Sequence, residues 1–322
     1  MITRTEKYPG LLGLQGMGAA RLRALLNAAK EMSGRPPLTR TLEGRVIANL
    51  FFEDSTRTRT SFSVAAKQLG AEVVDLLWVT SSVSKGETLT DTARNVEAMG
   101  IAAVVVRAKQ SGAAAMIAGA VDCPVINAGD GRHEHPTQGL LDIYTIAEAF
   151  GRLDGFDMKG LKVVIVGDVV ASRVARSDIA GLTTLGAEVV CVGPPAMAPR
   201  SVAALGCGVS HDLDAVVGSA DAVIMLRIQF ERYGTEKPAG GEAKNSPIAS
   251  LRDFRESYGL TIERAERMKK GAVVMHPGPI NRGIELDAEV ADGPRSLVLR
   301  QVTNGVAVRK AVLERAVLSA EK

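Results

Sequence analysis

The 322-residue chain is 46% hydrophobic, contains 33 glycines and 13 prolines, and carries a formal net charge of only +3. That length predicts about two globular domains, and the balanced charge without a long basic run argues against a nucleic-acid partner. No apolar run approaches the roughly 18 residues of a membrane span and "MITRTEKYPG" lacks a signal-peptide core, so the chain reads as soluble and cytoplasmic, with no membrane partner.

In chain order, "GRVIANLFF" (44–52) predicts a buried strand, 55–69 a helix stopped by Gly70, and "AEVVDLLW" (71–78) the next strand. "AAVVVRA" (102–108) predicts a strand, followed by a helix through Met116, the strand "CPVINAG" (123–129) and a helix over 136–150. The polar, glycine-rich "GRLDGFDMKG" (151–160) interrupts the pattern. It restarts with "LKVVIVGD" (161–168), a helix over 173–185, and the strands "AEVVCVGPP" (187–195), "DAVIML" (221–226) and "GAVVMHPGP" (271–279). "EKPAGGEAKNSP" (236–247) predicts a mobile polar loop, and the last helical pattern runs over 304–318. Strands alternating with helices, with continuous Val and Ile runs, predict an α/β protein of two doubly wound parallel sheets.

"FFEDSTRTRTSF" (51–62) puts Arg57 in the first turn of a helix, where a cation is unfavourable unless an anion joins it. Ser55 is a candidate N-cap, and Thr56 and Thr58 add hydroxyls. With Arg57 and the free N–H groups of the helix start, they form a candidate phosphate cradle. Arg59 lies about 200° round the helix from Arg57 and is expected to pair with an acid of the protein instead. The competing reading has Ser55 as a simple cap, with Glu53 and Asp54 neutralising both arginines at the surface. "GDVVAS" after the strand at 161 holds one glycine where a dinucleotide fingerprint needs three, so a nicotinamide cofactor is not expected. Cys123, Cys191 and Cys207 are odd in number and far apart, and His133 with His135 lacks a companion carboxylate cluster, so no metal site is expected.

"STRTRTSF", "SKGETLTDT" (84–92), "HPTQGLLD" (135–142) and "MHPGPINRG" (275–283), in that order, resemble the motifs of the aspartate/ornithine carbamoyltransferase family along essentially the whole chain. The resemblance implies a carbamoyl-phosphate-binding domain over 1–143, onto which the C-terminal helix of 304–322 packs back. It likewise implies an aspartate-binding domain over 144–303, with the active site expected in the cleft between the two. It implies transfer of the carbamoyl group of carbamoyl phosphate to the aspartate amine, with no metal or organic cofactor. Ser55, Thr56, Arg57 and Thr58 would hold the phosphate, Arg107 would reach the phosphate and carbonyl, His135 the carbonyl oxygen and Gln138 the carbamoyl amide. Gly278 and Pro279 would offer backbone carbonyls; the family commonly has a larger apolar residue at 278. Arg173 and Arg227, assisted by Gln229, would grip the aspartate carboxylates, for which the planar fork of arginine is suited. Lys85 and a serine, Ser81 by ungapped counting or Ser82, would reach into the neighbouring subunit's site of a homotrimer. Regulatory or dihydroorotase-like chains are further candidate partners. Ornithine as second substrate is disfavoured, because "HPGP" stands where that branch has a cysteine and because the second domain offers Arg173 and Arg227. A non-catalytic phosphometabolite-binding regulator would account for the cradle but not for His135, Gln138 and Arg227.

Overall fold

The computed structural model describes residues 10–77, 88–228 and 250–321. The chain divides into two compact units, one of residues 1–144 and 302–322, the other of residues 145–301.

The first unit opens with α1 (Ala19–Gly34) and then alternates: β1 (Val46–Phe51), α2 (Thr56–Gln68), β2 (Glu72–Leu77), α3 (Leu89–Glu97), β3 (Ala103–Ala108), α4 (Ala113–Ala118), β4 (Val125–Asp130) and α5 (Pro136–Ala149), whose last turn belongs to the second unit. The strands form one parallel sheet in the order β2-β1-β3-β4. β1, β3 and β4 are buried along nearly their whole length, as expected for strands covered on both faces. In β3 the pattern breaks at one position: Arg107 is half-buried, near the carboxyl end. Ala48, Leu50, Val104, Val106 and Val125 pack against Ala93, Val96 and Ile117 of α3 and α4. The carboxyl part of the long helix α11 (Val298–Ala320) belongs to this unit, with Lys310 donating to the Pro37 carbonyl and Arg45 paired with Glu321.

The second unit holds β5 (Lys162–Val166), α6 (Arg173–Thr184), β6 (Glu188–Val192), β7 (Gly208–Ser210), α7 (Asp214–Val217) and β8 (Ala222–Met225). After the segment 229–249 it continues with α8 (Leu251–Tyr258), α9 (Ile262–Arg267), β9 (Val273–Met275) and α10 (Ala288–Ala291). Its parallel sheet has the order β7-β6-β5-β8-β9. Val164, Val166, Val192, Val223, Met225 and Val274 form the sheet side of a core closed by Leu213, Val217, Leu260, Met268 and Leu286.

The expected strands are present in chain order, and β7 is an addition. Three residues long and partly exposed, it carries no periodicity to read. The expected strand at 271–279 is shorter, because "HPGP" turns away from the sheet after Met275. The last helix starts at Val298 rather than Asn304; Leu299 is 81% exposed, so its apolar residue there marks no buried face. The loop expected at 236–247 lies outside the described residues. No described helix is long and apolar enough to cross a membrane.

Candidate active site

Strand order decides where an open parallel sheet binds ligands: at the carboxyl ends of the two strands between which the chain reverses direction. In the first unit those strands are β1 and β3. Ser55 to Thr58 follow β1, and Arg107 is opposite Phe51 in the β1–β3 register, its carbonyl accepting from the Phe52 N–H at 2.8 Å. The cradle and Arg107 therefore arise at adjoining strand ends. His135 and Gln138 enter from the next strand over, beyond β4, at the start of α5.

Ser55 occupies the N-cap of α2, yet its side chain makes no capping bond, unlike Thr88, Ser172, Ser250 and Thr261, which each accept from their own helices. The first turn of α2 contains no acidic residue. Arg57 is exposed and Thr58 is buried. Glu53, which the surface reading gave to the helix arginines, pairs with Arg107 at 3.4 Å, and a second Arg107 nitrogen donates to the Ala128 carbonyl at 3.2 Å. Arg59 shows no acidic partner among the described residues.

His135 is buried, and its carbonyl accepts from the Gln138 and Gly139 N–H groups, forming the first turn of α5 on Pro136. The segment before it is fixed from both sides. Asp130, almost fully buried, accepts from the Gly112 N–H at 2.7 Å, from Asn127 Nδ2 at 2.9 Å and from the Glu134 N–H at 3.1 Å, with His133 Nδ1 at 3.1 Å. Burial pushes the Asp130 carboxyl up, but the bonds from His133 and Asn127 and the nearby His133 outweigh it, and the net shift is downward. Glu134 accepts from the Leu14 and Gln15 N–H groups, and a Cβ on Gly13 would stand 2.4 Å from its carboxylate.

In the second unit the reversal falls between β5 and β8. Arg173 is the first residue of α6, after β5, and is buried; Ser172 caps that helix by accepting from the Ala175 N–H. Arg227 lies two residues beyond β8 and is half-buried. The two strand ends approach closely at Gly167, whose φ of 123° and clearance of 3.2 Å from Leu226 leave no room for a side chain. Gly278 and Pro279 follow β9 in this same unit. Gly278 has φ 69°, a region glycine enters without steric cost, which fits its presence where a larger residue is common. Its N–H donates to His276 Nδ1 at 2.7 Å, so the other ring nitrogen bears the hydrogen and faces Glu285 Oε1 at 3.2 Å. The same oxygen accepts from the Asn281 N–H, and Asn281 Nδ2 reaches the Ile228 carbonyl at 3.3 Å, tying the loop after β9 to the one after β8.

The first unit thus gathers Ser55, Thr56, Arg57, Thr58, Arg107, His135 and Gln138 at one end of its sheet. The second gathers Arg173, Arg227, Gly278 and Pro279 at the corresponding end of its own. Ser81, Ser82, Lys85 and Gln229 lie outside the described residues. Among the described residues no group of three or more His, Cys, Asp or Glu is arranged to hold a metal.

Two family profiles match the chain: "Aspartate/ornithine carbamoyltransferase, carbamoyl-P binding domain" over residues 10–148 and "Aspartate/ornithine carbamoyltransferase, Asp/Orn binding domain" over 159–316. The chain belongs to the aspartate/ornithine carbamoyltransferase family. Within this family it is 53% identical to the aspartate carbamoyltransferase catalytic subunit of Myxococcus xanthus, over 94% of this chain and 98% of that protein. The crystal structure of Trypanosoma cruzi aspartate transcarbamoylase in complex with carbamoyl phosphate and aspartate matches with a TM-score of 0.82 and 29% identity, covering 96% of this chain and 97% of that one. Thermus thermophilus ornithine carbamoyltransferase also reaches a TM-score of 0.82, at 27% identity over 96% and 99% of the two chains. The carbamoyltransferase backbone is therefore common to both activities, and side chains must separate them.

Sequence reasoning did not reach Asp142 and Arg309. Asp142 lies four residues after Gln138, a spacing that places both on one helix face and so was open to detection. Arg309, in α11, is buried and has no such signal in the sequence. Its Nη1 donates to Ser61 Oγ of α2 at 3.0 Å and its guanidinium stands 5.2 Å from the Phe62 ring centroid.

Proposed function

We propose that this chain is the catalytic chain of an aspartate carbamoyltransferase, moving the carbamoyl group of carbamoyl phosphate to the α-amine of L-aspartate. The products are N-carbamoyl-L-aspartate and phosphate, in an early step of de novo pyrimidine biosynthesis. The observation that carries the reading is the 53% identity to an aspartate carbamoyltransferase catalytic subunit across 94% of the chain.

The cradle of Ser55, Thr56, Arg57 and Thr58, with the N-terminus of α2, binds the phosphate; Arg107 spans phosphate and carbonyl, and His135 donates to the carbonyl oxygen. Gln138 holds the carbamoyl amide, and Gly278 and Pro279 contribute backbone carbonyls. Arg173 and Arg227, with Gln229, hold the aspartate carboxylates. The neutral α-amine attacks the carbamoyl carbon and the carbonyl electron pair moves onto oxygen, facing donors from His135, Arg107 and Thr58. Collapse breaks the bond to the bridging phosphate oxygen, and the proton shed by the amine leaves with phosphate. Orientation and fixed donors supply the acceleration, with no covalent intermediate on the protein. The domain limits that go with this reading are 1–143 with 304–322 for carbamoyl phosphate and 144–303 for aspartate. A cytoplasmic location goes with this reading.

Assay of carbamoyl-aspartate formation tests the reading: aspartate is expected to be carbamoylated and ornithine not, and the reverse result rejects it. We also propose a homotrimer in which Lys85 and Ser81 or Ser82 of one chain complete a neighbour's site. Lys85→Ala and His135→Ala trimers should each be nearly inactive. Randomly mixed in equal amounts, they should regain about one quarter of native sites, because a closed ring lets one chain borrow from the next. No recovery in trimers shown to be mixed rejects the shared site.

A further inference from the structure

Gln138 and Asp142 stand one turn apart on α5. Asp142 is fully buried, and Gln138 Nε2 donates to both its oxygens, at 3.0 and 3.2 Å. An ionised carboxylate only accepts, so it dictates which end of the Gln138 amide turns towards it: the nitrogen. Oε1 then faces the opposite way and can only accept. An acceptor at that point matches the N–H of a carbamoyl group and finds no donor on a methyl. We propose that Asp142 is a positioning residue that fixes Gln138 with its oxygen towards the substrate, selecting a carbamoyl phosphate over an acyl phosphate with methyl in place of the amino group. The inference rests on Gln138 lying against the carbamoyl group, as in the reading above.

The Asp142 carboxylate must stay ionised for this, and a buried charge needs a counter-charge. Arg309 provides it. Burial pushes the guanidinium down to about 10, Asp142 acts against that shift and the like charge of Arg57 adds to it, so Arg309 remains a cation at neutral pH. The guanidinium fits because residue 305 is glycine: a Cβ there would lie 2.5 Å from Arg309 Nη1 and 3.1 Å from Leu141 Cδ2. Asn at 142 would keep the volume of Asp but offer Gln138 a donor or an acceptor, releasing the amide to turn.

Phosphonoacetamide and acetonylphosphonate differ only in NH2 against CH3 and supply the test by calorimetry. The native protein should bind the amide about 10- to 100-fold more tightly than the ketone, the scale for leaving one buried acceptor unpaired. In Asp142→Asn that preference should fall to within about threefold, while affinity for inorganic phosphate changes by less than about threefold. Gln138→Ala should abolish the preference by removing the acceptor itself, and Asp142→Ala, which also removes the orienting carboxylate, should lower it in the same way and tests the positioning role if Asp142→Asn does not fold. A native protein without preference, any of these variants retaining it, or parallel weakening of amide, ketone and phosphate in Asp142→Asn overturns the proposal. Native carbamoyl-aspartate synthesis alongside such a result refutes the positioning role alone; absence of that synthesis refutes the functional reading itself.

Discussion

Both sheets offer arginines and a helix N-terminus at the carboxyl ends of neighbouring strands, but the two units surround those groups differently. In the first, hydroxyls, N–H groups and Arg57 come from one turn of α2, and buried charges stand nearby: Asp130 before α5, Asp142 within it, Arg309 from α11. In the second, Arg173 opens α6 after β5 and Arg227 lies in the loop after β8, and the adjoining "HPGP" loop is held by His276, Glu285 and Asn281. Many short donors around one point suit a tetrahedral dianion; two guanidinium forks suit planar carboxylates. The difference has a kinetic meaning. Charge on the phosphate and carbonyl oxygen changes during transfer, whereas the charge on aspartate carboxylates does not. Groups of the first unit should therefore act mainly on kcat, and those of the second mainly on the aspartate KM.

The largest effect is expected for Arg57→Ala, a loss of about 10²- to 10³-fold in kcat, the scale for removing one donor from developing charge. Because Arg57 is exposed, the variant should keep its native unfolding midpoint. Steady-state kinetics with a denaturation curve check this. If the defect appears in the aspartate KM with kcat preserved, the contrast between the units is wrong.

Arg227→Ala should give the opposite signature: an aspartate KM raised about 10- to 100-fold, the value of one charge-assisted contact, with binding of carbamoyl phosphate little changed. Calorimetric titration of carbamoyl phosphate followed by initial rates over a range of aspartate separates the two quantities. Unaltered aspartate dependence would remove Arg227 from the site.

How much of this could be read before the structure depended on whether the signal was local. Ser55 to Thr58, His135 and Gln138 sit in contiguous motifs at helix starts, where the chemistry of a single turn identifies them. The alternating strands were legible because both faces of β1, β3 and β5 are covered, which turns burial into unbroken apolar runs. Strand order was not legible, since nothing in β1 states that β2 and β3 flank it, and that order is what places Arg107 beside the cradle and Arg227 near Arg173. Arg309 and Glu53 escaped for the same reason: each acquires its role from a residue distant in sequence or on another strand. Six of the described helices were missed: α7 and α10, at four residues each, give no periodic pattern, α3, α8 and α9 give short ones, and α1, at sixteen residues, was long enough to be read and was overlooked.

Asp130 offers the smallest effect on catalysis and isolates the scaffold of the first unit from its ligand groups. Asp130→Asn keeps the size of the side chain but turns an acceptor into a donor for at least one of Gly112, Asn127, Glu134 and His133, so two donors must face each other. The cost should be about 1–3 kcal/mol at neutral pH. Activity per folded molecule should change little, since Asp130 supports the backbone before His135 without being one of the proposed ligand groups. The charge contributes through linkage, and its sign is fixed by the downward shift. The folded carboxyl titrates below its unfolded value of about 3.9, so the unfolded chain takes up the proton first as pH falls. The native protein therefore holds the full contribution above about pH 5 and loses it as pH falls through the folded value. Urea midpoints measured from pH 7 downward should show the native curve falling more steeply than the Asp130→Asn curve below about pH 4, with the gap between them narrowing. A gap that stays constant with pH would mean that Asp130 acts through shape alone and that its buried charge contributes nothing to stability.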